Sequence, residues 1–279
     1  MSDSSMRDSD QGSHADMPAQ GNLGGHKVAS VKANKPKKKQ GWLSTVRELA
    51  IIIVVALIIS ALIRSFLMQL YVIPSASMEN TLQIGDRGAV IKVADFHRGD
   101  VVVFKDPGNW LGNETSGTSN PVRQVAEFLG VAPSSATDHL VKRVIGMPGD
   151  HVACCTAQGQ ITVNGQPLDE ASYLYSVNGV SVHPSDLSFD VVVPAGHIFV
   201  LGDHRNDSRD SRYHLCDAVE SGEVAGSGGF VPISDVTGPM VGIFMPFNRA
   251  TRFAIPATFA SVPDPAPAPD QPTVNRKPC

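Results

Sequence analysis

Two serines, Ser75 and Ser77, bracket a small residue in IPSASMENTL, residues 73–82. A hydroxyl is a poor nucleophile at neutral pH and needs a base within reach, while the oxyanion that develops on an attacked carbonyl needs preorganised donors. Ser75 and Ser77 can divide those roles, although the string alone reads equally well as a flexible turn. A base is available in HLVKRVIGMPGD, residues 139–150. Strand alternation puts Leu140, Lys142 and Val144 on one face and Val141, Arg143 and Ile145 on the other. Lysine on an apolar face loses solvation, which lowers its pKa and leaves the amine able to accept a proton. The bland reading is an edge-strand lysine that discourages aggregation. A third segment, GDHRNDSRDSR at 202–212, has the density of Asp, Arg and Ser of a loop held by charge-assisted hydrogen bonds, or of a solvated charged turn.

Other chemistries find less support. His97, His139, His151, His183, His197, His204 and His214 supply candidates for Ser-His-Asp catalysis, and His204 in the charged loop is the best rival base. There is no G-x-S-x-G, S-x-x-K or H-E-x-x-H string. The cysteines Cys154, Cys155, Cys216 and Cys279 show neither C-x-x-C spacing nor histidines at zinc-finger offsets, so no metal or cofactor is expected. Neighbours on a strand point to opposite faces, which argues against a Cys154–Cys155 bond. The expectation is that one of them pairs with Cys216 and that Cys279 is free. A formal net charge of -4 gives no indication of a nucleic-acid partner.

These segments need elements to position them. Residues 1–40 hold few large apolar side chains and are expected to be disordered, with Lys27, Lys32, Lys35, Lys37, Lys38 and Lys39 accumulating there. Leu49 to Ile63 carries no charge, and the apolar character resumes after Arg64 as far as Ile73. The range 41–73 therefore reads as a transmembrane anchor, with Trp42 and Tyr71 at the interfaces. Its lysine-rich flank stays cytoplasmic under the positive-inside rule, which puts the rest of the chain outside the cytoplasmic membrane. From 74 to 260 the chain turns to short β-branched runs bounded by Gly, Pro and Asp. Such runs predict an all-β domain, with a type I′ hairpin turn at Asn164-Gly165. An insert at 106–138 interrupts it, with a predicted helix over 121–130. The Pro-rich tail, 261–279, is expected to be extended or disordered.

Four strings, PSASMENTL, GDR at 85–87, HLVKRVIGMPGD and GDHRNDSRDSR, stand in an order and context that resembles the type I signal peptidase family, from about Trp42 to about Pro246. The resemblance implies antiparallel sheets in a partly open, barrel-like arrangement. It implies that Ser77 is the nucleophile and Lys142 the general base. Ser75 then contributes to the oxyanion hole beside the Ser77 N–H, and Ser208 orients Lys142. Asp203, Arg205, Asp210 and Arg212 hold the site together, with Arg143 packed beside the lysine. The implied partners are exported preproteins bearing A-x-A signal peptides and membrane lipid, with the enzyme acting as a monomer. Three positions depart from the family pattern: Asn80, where many members have proline, and His204 and Asn206, which replace asparagine and aspartate. The alternative of a different class is an anchored β module that binds without catalysis.

Overall fold

A computed structural model describes residues 41–108, 110–112, 138–218, 222 and 224–279. The expectations of disorder over 1–40 and of a helix over 121–130 lie outside the described residues. Within Met1–Val46, the described residues begin a helix; Arg47–Cys279 forms a second compact unit. Helix α1 spans Trp42–Phe66. Its apolar stretch, Trp42–Ile63, is 22 residues long and unburied. At 1.5 Å per residue that is about 33 Å, enough to cross a bilayer's hydrocarbon. It fits a single-pass anchor.

The strands follow in chain order. They are β1 (Met68–Val72), β2 (Arg87–Ile91), β3 (Val101–Lys105), β4 (His139–Gly146), β5 (His151–Cys154), β6 (Ile161–Val163), β7 (Gln166–Pro167), β8 (Ser176–Val177) and β9 (Val180–Ser181). Then come β10 (Phe189–Val192), β11 (His197–Leu201), a short helix α2 (Ser211–His214), β12 (Val231–Pro232), β13 (Val236–Met245), β14 (Thr251–Arg252) and β15 (Thr273–Arg276). An 8-stranded sheet runs β1-β2-β13-β3-β4-β11-β12, with β14 on β13, and a 5-stranded sheet runs β15-β10-β5-β6-β7. All pairings are antiparallel, and the larger sheet curls into a half-barrel, as the all-β expectation required. The curl is made within β13: its first residues pair with β3 and its later ones with β2, with register shifts at Gly238 and Gly242. A side chain on Gly238 would meet the Ile91 carbonyl, so only glycine lets the strands approach there. Asn164 and Gly165 have φ of 51° and 79° and join β6 to β7, as a type I′ turn demands.

Alternation along β4 is realised in the packing. Leu140 and Val144 share a cluster with Val102 and Phe104 of β3, while Val141 joins Val101, Val103, Tyr71, Ile73 and Met78 in a second. A third cluster, including Ile145, Val152, Phe189 and Phe199, fills the space between the two sheets.

Four expectations are corrected. The anchor helix ends at Phe66 rather than Ile73, because Met68–Val72 satisfies its backbone as β1 against β2 and buries Tyr71. The tail beyond Ser261 is extended but not free. Asn164 Nδ2 donates to the Pro263 carbonyl (2.9 Å), Ala195 N–H donates to that of Pro269 (2.8 Å), and β15 pairs with β10. Cys216 bonds Cys279, not Cys154 or Cys155, since β15 carries the chain end back to α2, with a Cα separation of 5.9 Å. Cys154 and Cys155 are bonded to each other: β5 ends at Cys154, so strand alternation does not extend to Cys155.

The Cys216–Cys279 bridge closes a loop with a sequence separation of 63. Restricting an unfolded chain in this way contributes about 2–4 kcal/mol. Thermal unfolding of Cys216→Ser without reductant should show that loss. Free alkylation of both thiols in the unreduced protein would contradict the bridge.

Candidate active site

Ser77 follows β1 on a tight turn. Glu79 N–H donates to the Ala76 carbonyl (2.9 Å) and Leu82 N–H to that of Met78 (2.7 Å), while Met78 and Leu82 anchor the turn in the core. Asn80 has φ of 83°. Proline, fixed near -65°, could not adopt that conformation. The turn also meets the charged loop, because His204 N–H donates to the Ser77 carbonyl at 3.1 Å. A Cβ on Gly202 would collide with Ser208 and with the Ser77 carbonyl, so the approach depends on a glycine.

Lys142 comes from β4. Its Nζ is 2.5 Å from Ser77 Oγ, and the two residues are 4% and 7% exposed. Ser75 Oγ lies 3.4 Å from Ser77 Oγ on the open side. Burial pushes the Lys142 ammonium down, Asp210 and Asp203 hold it up, and the balance leaves its pKa at about 8. Near neutrality a usable fraction of the amine is therefore unprotonated, which an exposed lysine titrating at ~10.4 could not provide. The geometry suits removal of a proton from a serine hydroxyl.

The remaining expected residues gather around three carboxylates, Asp203, Asp210 and Glu170. Asp203 accepts from Arg143 Nε (2.8 Å) and Nη2 (2.7 Å) and from Thr81 Oγ1 (2.5 Å). Arg143 also donates to the Gly99 carbonyl (2.6 Å) and lies over the Tyr173 ring. Asp210 accepts from Arg212 Nε and Nη2, from Ser208 Oγ, all at 2.8 Å, and from Gly202 N–H at 3.0 Å. Burial alone would push the Asp210 carboxyl up; Arg212, Gly202 and Lys142 hold it below its ordinary value. Ser208 therefore meets Asp210, the carboxylate that does most to hold the Lys142 ammonium up. Arg205 donates to Glu170 (2.5 and 3.1 Å) and to the Gly202 carbonyl (2.9 Å). Burial disfavours its charge, but Glu170 offsets this and holds Arg205 above its ordinary range.

His204, the rival base, is engaged elsewhere. Its ring packs on Tyr175 with centroids 3.8 Å apart, and Nδ1 is 3.2 Å from Glu79 Oε2 without the alignment of a hydrogen bond. Glu170, Tyr173 and Thr81 are site-supporting residues not singled out from the sequence. Thr81 lies within one of the four strings, whereas Glu170 has no local signal because its partner is 35 residues away. Among the described residues no His/Cys/Asp/Glu cluster could hold a metal ion.

The family described as "Signal peptidase, peptidase S26" matches residues 46–245, a span that holds every residue of this constellation. The chain belongs to the signal peptidase family. A Mycobacterium leprae protein named "Probable signal peptidase I" is 36% identical over 248 residues, covering 79% of this chain and 82% of its own. Signal peptidase I of Mycobacterium tuberculosis is 34% identical over 246 residues, covering 81% and 80% respectively. A crystal structure of a signal peptidase I from Enterococcus faecalis V583 covers 53% of this chain and 98% of that chain, at 22% identity and a TM-score of 0.31. Membership of this signal peptidase family makes the chain a peptidase, and the apolar α1 agrees with the family's association with membranes.

Proposed function

We propose that this chain is a membrane-anchored endopeptidase that removes signal peptides from exported preproteins at the outer face of the cytoplasmic membrane, with Ser77 as nucleophile and Lys142 as general base. The observation that carries this reading is the 2.5 Å contact between Lys142 Nζ and Ser77 Oγ. Neutral Lys142 takes the Ser77 proton as Oγ attacks the scissile carbonyl. The oxyanion is met by the Ser77 N–H and the Ser75 hydroxyl, and the protonated amine then gives its proton to the leaving nitrogen. Water, deprotonated by the same amine, hydrolyses the acyl-serine. This is the Ser-Lys form of the triad logic and needs no metal.

An extended substrate has a place to lie. β4 pairs with β3 along His139–Arg143 but with β11 only from Arg143 onward. Among the described residues, this leaves His139–Lys142 with an open edge beside Ser77, suited to strand addition. The lysine-rich flank of α1, by the positive-inside rule, supports the outward placement of the β domain. The test is to incubate full-length protein in liposomes with a preprotein carrying an A-x-A site and to sequence the product's new N-terminus. Cleavage directly after that site is expected; an intact preprotein would refute the reading.

A further inference from the structure

The cavity beside the Ser77–Lys142 pair is small, about 80 Å³, whereas wider surface clefts reach about 440 to 550 Å³. Its lining comes from two segments, Ile73–Ser75 with Ser77 and Met78, and His139–Lys142, with one exception, Leu111. Leu111 belongs to the segment that leaves β3 and is held by a short bracket. Asp106 Oδ2 accepts from Leu111 N–H (3.0 Å), and Asp106 Oδ1 accepts from the N–H groups of Trp110 (2.7 Å) and Gly108 (3.1 Å). Trp110 is 4% exposed and fixes that bracket to the domain. Its indole N–H donates to the Gly228 carbonyl (3.1 Å), its face stacks on His214 at 4.2 Å, and its edge meets Phe104. Leu111 itself packs against the cluster containing Leu140 and Val144. The bracket is built to hold one apolar side chain at a fixed place in the wall of the cavity.

The residue whose carbonyl Ser77 attacks has its Cα one bond from the reacting carbon. Its side chain therefore lies within reach of the cavity that Ser77 borders. We infer that Leu111 sets the size of the substrate side chain accepted immediately before the scissile bond. The inference rests on the assignment of Ser77 and Lys142 proposed above. In an apolar pocket, one methylene more or less changes selectivity by about 10-fold to 200-fold, so truncating the isobutyl group is large enough to be read in substrate preference.

The experiment uses full-length protein in detergent and preproteins that differ only in the residue before the cut: Gly, Ala, Val or Leu. Leu111→Ala should raise kcat/KM for the Val and Leu substrates relative to Ala by at least about 10-fold. Leu111→Phe should do the reverse, lowering Ala relative to Gly. Leu111→Val is the milder variant should Leu111→Ala fold poorly, with a smaller change in the same direction. A merely structural role would scale all substrates together and leave the ratios alone. Unchanged ratios in all three variants, with Ser77→Ala inactive, would overturn the inference while leaving the proposed function standing. Cleavage that survives in Ser77→Ala would instead defeat the assignment on which the inference rests.

Discussion

Replacing Ser77 with alanine, or Lys142 with alanine, is expected to lower kcat/KM for preprotein cleavage by at least ~10⁴-fold, with the double variant little worse than either alone. The two side chains act as a unit. Without Ser77 Oγ there is no atom to acylate, and without Lys142 Nζ, the hydroxyl loses the base 2.5 Å away. Residues that share one step in this way give losses that do not add. Lys142→Met, which keeps most of the volume, should be as inactive without costing stability, because it replaces a buried ionisable group with an apolar one. His204→Ala leaves the backbone N–H to Ser77 in place and removes a ring held by Tyr175 and Glu79. Its loss should stay below the ~10²-fold at which general-base contributions begin. Initial rates and melting temperatures of the five variants, on one preprotein, check these outcomes.

Asp210→Asn should have the largest effect on stability, about 3–5 kcal/mol, since it leaves the buried Arg212 guanidinium without its carboxylate. It should also change the pH dependence in a direction that damage to the fold would not produce. Asp210 is the foremost of the charges that hold the Lys142 ammonium up against burial. Without it burial prevails further, the lysine titrates below about 8, and the rising limb of activity moves to lower pH. Denaturant unfolding and a pH–rate profile of the same preparation measure both effects. Unaltered stability, or a limb displaced to higher pH, would contradict the role given to this carboxylate.

Much of the site can be read in the sequence for reasons that are local. Lys142 stands out because period-two alternation puts it on the face of Leu140 and Val144, and it is buried with its amine on Ser77. Asp203, Arg205, Asp210 and Arg212 are conspicuous because so many charges in so few residues must be paired if buried, and all four are at most 2% exposed. What escapes the sequence depends on distance along the chain. Nothing near Glu170 announces that it meets Arg205, and TVNR at 273–276 is too short a run to reveal that it completes a sheet with β10. Cysteine spacing does not encode connectivity, so the Cys216–Cys279 bridge becomes visible only when that strand is placed. The end of the anchor was hidden because SFLMQLYVI is apolar enough for either a membrane helix or a core strand; pairing with β2 decides it.

The central claim, that a neutral lysine activates Ser77, is tested most directly by kcat/KM on one preprotein from about pH 5 to about pH 10. The base works unprotonated, so activity must rise with pH, by about tenfold per unit at first. The account predicts that the rise ends in a plateau above a midpoint at about 8. A midpoint in the imidazole range near ~6.5, or a profile level through pH 8, would contradict it.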